Sequence, residues 1–312
     1  MARGWISTGC LATVAVLVLL SVGAVLFVYV QAQRTPAARP EYVALGSSFA
    51  AGAGLGELQD GSPLICSRSV GGYPQRLARK LQLSIADMSC GGAQARHLIH
   101  GGQFFQGPQV RAVTSETRLV TITVGGNDTL YIGDLSQLAA QRTGTLYGWL
   151  VRRLWTGPRR DRQFAMLEND LVAIQRAIRK RSPNAVIVFA TYPALLPAAG
   201  TCSRVGLSRS EADLMRGVGD RLASVTRSAA RKGGAILVDM HAIGQEHDAC
   251  SAAPWTNGWA NGGIAPFHPN AQGAQTTADA IACALRASPA AVAAIGENDA
   301  ARHKAGRVGR QE

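Results

Sequence analysis

The sequence predicts an α/β protein built on a mostly parallel sheet covered on both faces. Two observations carry this. Short apolar runs recur along the chain, at 42–45 (YVAL), 119–124 (LVTITV), 185–192 (AVIVFATY) and 235–240 (AILVDM), each apolar enough to be buried on both sides. Between them lie longer segments with apolar residues at helical spacing. Short buried strands alternating with helices are the pattern of a parallel sheet with helices on its two faces.

The chain begins, at 9–30, with 22 residues free of charge, long enough to cross a bilayer. Residues 1–32 are therefore read as a transmembrane anchor. Val30-Gln31-Ala32 leaves a cleaved signal peptide as the rival reading. Either way the remainder is expected outside the cytoplasm, anchored and facing outward, or secreted if 1–32 are removed. Cys10 precedes the apolar run, which argues against a lipoprotein cleavage site. Residues 33–40, rich in Pro, Ala and Arg, read as a linker.

Residues 41–287 read as one continuous domain. Leu77 and Leu81 share a face in 74–82, as do Leu171, Ile174 and Ile178 in 170–181, and Leu214, Val218, Leu222 and Val225 in 209–233. Asn270 is placed to cap a helix that ends before Pro289. Residues 133–168 break the rhythm. They hold two tryptophans and five arginines within 148–164 and read as a basic insertion that could serve as a lid or meet anionic headgroups. Residues 288–312, Ala-rich and then basic, read as a flexible tail.

The formal net charge of +12 favours acidic surfaces such as anionic lipid or cell-wall polymer. Nucleic acid is not expected as a partner, because the arginines are not interleaved with aromatics and no recognition motif occurs. No phosphate-loop pattern is present. Of six cysteines, Cys10 belongs to the apolar segment and none forms a CxxC pair, so no zinc ribbon is expected. Outside the cytoplasm disulfides are the default. Connectivity does not follow from sequence; nearest-neighbour pairing would leave Cys283 over.

Four segments carry chemistry. Gly46-Ser47-Ser48-Phe49-Ala50-Ala51-Gly52 follows a strand. Ser89-Cys90-Gly91-Gly92 is a Gly-rich turn before a helix. Gly125-Gly126-Asn127-Asp128 ends a strand, and Ala265-Pro266-Phe267-His268 precedes a capped helix. In open parallel sheets ligands bind beyond the carboxyl ends of the strands. A serine, a glycine N–H, an asparagine amide and a histidine are what acyl transfer needs: a nucleophile, a base and pre-placed donors for a tetrahedral oxyanion.

In this order the four segments resemble the blocks of the SGNH hydrolase (GDSL esterase/lipase) superfamily. The sequence EHDAC at 246–250 and the stretch around His268 further resemble secreted actinobacterial lipases and esterases. The resemblance implies a flavodoxin-like three-layer α/β/α sandwich and a serine ester hydrolase of lipase or esterase type. It implies Ser48 as nucleophile, His268 as general base, and Ser48, Gly92 and Asn127 as oxyanion donors. It further implies disulfides Cys66–Cys90 and Cys202–Cys250, with Cys283 free or buried, and no metal or cofactor. Two positions depart from the family pattern. Ser47 stands where the first block has Asp, and Ala265 where the last block has the Asp that orients histidine. The resemblance then implies a backbone carbonyl, that of Ala265, in the orienting role. The implied partners are a small-molecule, lipid or glycan ester and, through residues 1–32, a membrane; the protein is read as a monomer. Rival readings are an acyltransferase or deacylase of envelope lipid or glycan, and a non-catalytic surface binding protein.

His247, beside Asp248, is the rival base, and Asp128 reads as a turn cap. His97, His100, His241 and His303 have no catalytic context. Trp255 and Trp259 could wall a substrate site or fill space under a loop.

Overall fold

A computed structural model describes residues 3–34, 39–260 and 263–296, with side chains from residue 11 onward. Its centre is a five-stranded, wholly parallel sheet: β1 (Tyr42–Gly46), β2 (Ile85–Asp87), β3 (Leu119–Thr123), β4 (Val186–Ala190) and β5 (Ile236–Val238), in the order β2-β1-β3-β4-β5. That order reverses direction between β1 and β3, the flavodoxin-like arrangement that opens a crevice at the strand ends. Four strands fall where apolar runs predicted them. β2 is the exception. Ile85-Ala86-Asp87 ends in a carboxylate and lies in no apolar run, whereas β5, equally short and at the other edge, sits inside the run 235–240.

Helices cover both faces. On one side lie α4 (Ala95–His100), α5 (Tyr131–Ala140), α7 (Phe164–Arg181) and α8 (Arg209–Gly233). Their Leu98, Leu135, Leu171, Ile174 and Leu222 are buried with Val43, Leu45, Val120 and Ile122 of the sheet. On the other lie α3 (Tyr73–Leu81) and α10 (Ala271–Arg286), whose Leu77, Ala278, Ile281 and Leu285 pack with Tyr42, Ala44, Leu119 and Val188. Adjacent strand residues thus face opposite layers, as the two-residue strand period requires. α8 opens on Ser208, whose side chain accepts the Glu211 N–H, and α10 opens on Asn270, which accepts the Gly273 N–H at 2.9 Å. Shorter elements are α2 (Ser48–Ala51), α6 (Leu146–Leu154) and α9 (Met240–Ile243).

The apolar N-terminus forms one helix, α1 (Arg3–Ala32), whose Leu11–Ala32 portion is long and apolar enough to span a membrane and lies outside the core. Part of the expected linker, 35–38, lies outside the described residues. The tail reading is corrected for its first part: Pro289–Gly296 is helical, Ala291 is fully buried and Ile295 packs on the core. The apolar residues at 291 and 295 sit at helical spacing, a signal hidden among alanines. Residues 297–312, with His303, lie outside the described residues. Residues 133–168 are built into the domain by Leu135, Leu138 and Leu167, which are buried in its core, and Arg162 and Asp134 form a buried ion pair within the segment at 2.6 Å.

The disulfides Cys66–Cys90 and Cys202–Cys250 are formed, and Cys283 is free and exposed.

Candidate active site

β1 ends at Gly46, and the chain turns there into α2. The turn is possible only for glycine: φ is +145°, and a Cβ would collide with the Thr123 carbonyl of the neighbouring strand. Ser47 donates its N–H to that carbonyl at 3.0 Å, so β1 and β3 remain joined up to the turn. Ser48 is the first residue of α2 and half-buried. At a helix start its N–H has no intrahelical acceptor, and no partner for it occurs among the described residues.

His268 meets Ser48 across a sequence separation of 220 residues, Nε2 to Oγ 2.7 Å. Its other ring nitrogen, Nδ1, lies 2.9 Å from the Pro266 carbonyl. A carbonyl can only accept, so Nδ1 carries the hydrogen and Nε2 is bare, ready to accept the Ser48 O–H. Burial pushes the His268 pKa down, partly opposed by the Pro266 carbonyl, which favours the imidazolium. The ring is thus neutral at neutral pH. Phe49, one residue past Ser48, packs on the imidazole with ring centroids 5.0 Å apart.

The orienting carbonyl corrects one expectation: it belongs to Pro266, not to Ala265. Residues 265–268 form a tight turn closed by the His268 N–H donating to the Ala265 carbonyl at 3.4 Å. Pro266 takes the second position and Phe267 is left-handed at φ +58°, the signature of a type II turn. The Ala265 oxygen is engaged in closing the turn, whereas the central peptide turns the Pro266 oxygen toward the ring. The Ala265 side chain abuts the space left by Gly54, so a longer acid at 265 would meet Gly54. The proline was a legible turn signal; which of two adjacent carbonyls the turn would aim at the ring was not.

Two more loops complete the site. Cys90 donates its N–H to the Gly46 carbonyl at 3.1 Å, and Gly91 to the Cys66 carbonyl at 3.0 Å, so the first disulfide fastens the Gly92 turn beside the end of β1. Gly92 is left-handed at φ +78°, and its N–H has no partner among the described residues. Asn127 donates one Nδ2 hydrogen to the Ala93 carbonyl at 2.9 Å, which leaves the other free. Asp128 accepts the Ala95 N–H at 3.0 and 3.2 Å and so holds the start of α4, not the turn that follows it. Burial raises the Asp128 pKa to about 6.

Among the described residues no acid bonds the His268 ring. Asp248 accepts the Cys250 N–H at 2.7 Å, His247 bonds the Ala253 carbonyl at 2.8 Å, and neither bonds His268. His97 accepts the Gln94 N–H, and His241 bonds Asp220 at 2.8 Å. Trp255 is nine-tenths buried and stacked on His247, centroids 4.1 Å apart, so it fills space beneath its loop.

Two site residues were missed in the sequence. Gln109 is buried and grips Gly46 twice, Oε1 accepting its N–H at 2.8 Å and Nε2 donating to its carbonyl at 3.0 Å. Nothing local marks it. Tyr192 is buried just past β4. Its hydroxyl bonds Ser47 Oγ at 2.9 Å and accepts the Gly126 N–H at 3.1 Å, and its ring packs on Phe49 at 4.3 Å. Burial pushes its pKa up to about 12, so the hydroxyl stays protonated. It can therefore share a hydrogen with the Ser47 hydroxyl while accepting from Gly126. Its place at a strand's carboxyl end was the available signal.

A parallel α/β/α sandwich carrying a serine against a neutral imidazole, with free donors from two neighbouring loops, defines a carboxylic ester hydrolase. Comparisons with known proteins agree: residues 44–276 match the GDSL-like lipase/acylhydrolase family, and the chain belongs to it. Lipase 2 of Streptomyces coelicolor is 31% identical over 263 residues, covering 80% of this chain and 86% of that protein. Among solved structures, an extracellular lipase from Streptomyces rimosus superposes with a TM-score of 0.62 at 26% identity, covering 78% of this chain and 98% of that one. Phospholipase A1 from Streptomyces albidoflavus superposes with a TM-score of 0.62 at 25% identity, covering 80% and 99%.

Proposed function

We propose that this chain is an extracytoplasmic serine esterase or lipase that works through a Ser48–His268 dyad and an acyl-enzyme. The observation that carries the reading is the 2.7 Å contact of Ser48 Oγ with a bare Nε2, fixed from behind by the Pro266 carbonyl. His268 takes the Ser48 proton as the oxygen attacks the ester carbonyl. The tetrahedral oxyanion is met by the Ser48 N–H, the Gly92 N–H and the free Asn127 hydrogen, the three unpartnered donors of the site. The imidazolium then returns the proton to the leaving alcohol. Water enters, His268 deprotonates it, and its attack on the acyl-enzyme releases the acid and regenerates Ser48.

Among the described residues no carboxylate bonds the His268 ring, so stabilisation of the imidazolium falls to the Pro266 carbonyl dipole. The two disulfides and the apolar α1 support a place outside the cytoplasm. The similarity to a phospholipase A1 favours a lipid ester among the possible substrates. The test is labelling with a fluorophosphonate probe followed by peptide mapping. The expected adduct sits on Ser48 and is absent in Ser48→Ala and strongly slowed in His268→Ala. An adduct on another residue, or none on a protein that hydrolyses esters, would sink the assignment.

A further inference from the structure

α6 is a nine-residue helix with its apolar side turned outward. Leu146 and Leu154 are 74% and 76% exposed, and Tyr147, Trp149 and Leu150 are exposed as well. At about 100° per residue, Leu146, Leu150, Leu154 and Tyr147 share an arc of about 100°, with Arg153 and Trp149 past its Leu146 edge and the buried Val151 and Gly148 past its Tyr147 edge. The helix thus fastens to the domain by its narrow face and presents leucines to solvent. Single exposed leucines need no explanation, but a contiguous stripe does.

The rim of the stripe says what covers it. Trp149 borders it with the Arg153 guanidinium 5.9 Å from the ring centroid. Arg153, Arg159 and Arg160 are exposed on α6 and the segment after it, and none pairs with a carboxylate among the described residues, whereas Arg152, on the side of the helix away from the stripe, donates to the Gln141 and Thr143 carbonyls. The neighbouring Arg142 and Arg162 are paired, with Glu211 and Asp134. Unpaired arginines beside an apolar stripe edged by tryptophan are the composition of a helix lying in a lipid headgroup layer. A water-soluble partner of the same charge would not require the leucines. The same chain also carries α1, whose apolar span places the domain within reach of a bilayer.

We propose that α6 is a second, peripheral membrane contact that lays the Leu146–Leu150–Leu154 stripe into an anionic bilayer surface, with Trp149 at headgroup depth. The proposal is independent of which ester is cleaved.

The test uses the full chain reconstituted through α1 into vesicles of phosphatidylcholine alone or mixed with phosphatidylglycerol, with brominated acyl chains as quenchers. The Trp149 signal is the difference between wild type and Trp149→Phe. In the anionic vesicles that difference should be quenched, and high salt should relieve the quenching. In phosphatidylcholine alone it should be weak. The triple variant L146S/L150S/L154S should lose it, and Leu154→Ser alone should weaken it. Each of Arg153→Gln, Arg159→Gln and Arg160→Gln should weaken docking roughly fivefold. Hydrolysis of a soluble short-chain ester should be unchanged in all of them. Three results overturn the proposal. The first is an unquenched Trp149 in anionic vesicles. The second is a triple variant that raises KM for the soluble ester, which would make the stripe a substrate wall. The third is a wild-type dimer in sedimentation that the triple variant abolishes, which would make a second copy the occupant.

Discussion

Ser48 and Ser47 are chemically identical neighbours with opposite surroundings. Ser48 faces His268, while Ser47 is fully buried and bonded to Tyr192. Ser48→Ala should lower kcat by ~10⁴ or more with no change in Tm. Ser47→Ala should leave most activity, and equal loss in the two variants would refute the assignment. Tyr192→Phe strands the buried Ser47 hydroxyl and Gly126 N–H, an expected cost of about 1–3 kcal/mol in urea unfolding. Its effect should not add to that of Ser47→Ala, because both break one network. Asn127→Ala removes a donor proposed for the oxyanion and should reduce kcat by ~10²–10³ with little change in KM.

His268 must be neutral to act as base, and burial lowers its pKa. The acid limb of kcat/KM should therefore fall below the ordinary histidine value of about 6.5. The same shift bears on stability. The unfolded chain takes up the proton more readily, so stability from this group declines as pH drops through the unfolded value toward the folded one. Asp128 runs the other way. Its raised pKa of about 6 means that ionisation above that value costs the folded state. Asp128→Asn keeps an acceptor for the Ala95 N–H and should be stabilising relative to wild type above about pH 6 and mild on turnover. Asp248→Asn should be mild on turnover as well. A loss of ~10⁴ in either Asn variant would mean a displaced triad acid.

At the scale of elements, each site group rides on a loop that something else holds. The Cys66–Cys90 bridge secures the Gly92 turn, and Cys202–Cys250 ties the segment after β4 to the loop before His268. With sequence separations of 24 and 48 residues, chain entropy assigns each about 3–4 kcal/mol. Paired Cys→Ser variants should lose comparable stability. The Cys66→Ser/Cys90→Ser variant should also lose kcat, because it frees an oxyanion donor, while the other pair should chiefly lower Tm. Pro266→Ala keeps the orienting carbonyl and should retain much of its turnover. β1, β3, β4, α3, α7, α8 and α10 were legible because each repeats its signal over several residues, and β5 because its three residues sit inside the apolar run 235–240. β2 was not, since Ile85-Ala86-Asp87 ends in a carboxylate and lies in no such run. Gln109 was not either, because its role comes from meeting Gly46 63 positions away.

At the scale of the whole molecule, the hydrolase domain has two core layers of its own, and no residue of the Leu11–Ala32 span belongs to either; its contacts with the domain are at its end, where Tyr29 meets Phe105 edge-on and Ala32 is buried. A chain beginning at residue 33 should remain folded, leave the membrane fraction and keep its kcat on a soluble ester. Loss of folding in that truncation, read by circular dichroism, would show that α1 is part of the domain.

The sequence by itself determined the strand and helix rhythm, the apolar N-terminus and the four segments that carry Ser48, Gly92, Asn127 and His268. All of these are written as local patterns or in the residue types that acyl chemistry needs. Only the tertiary structure decided which carbonyl orients His268, that Tyr192 and Gln109 buttress the serine turn, and that α6 turns its leucines outward. These depend on which atoms of distant segments meet and on which side of a helix the rest of the chain has already covered. A linear pattern carries no such information, because the partner that decides it lies elsewhere in the chain.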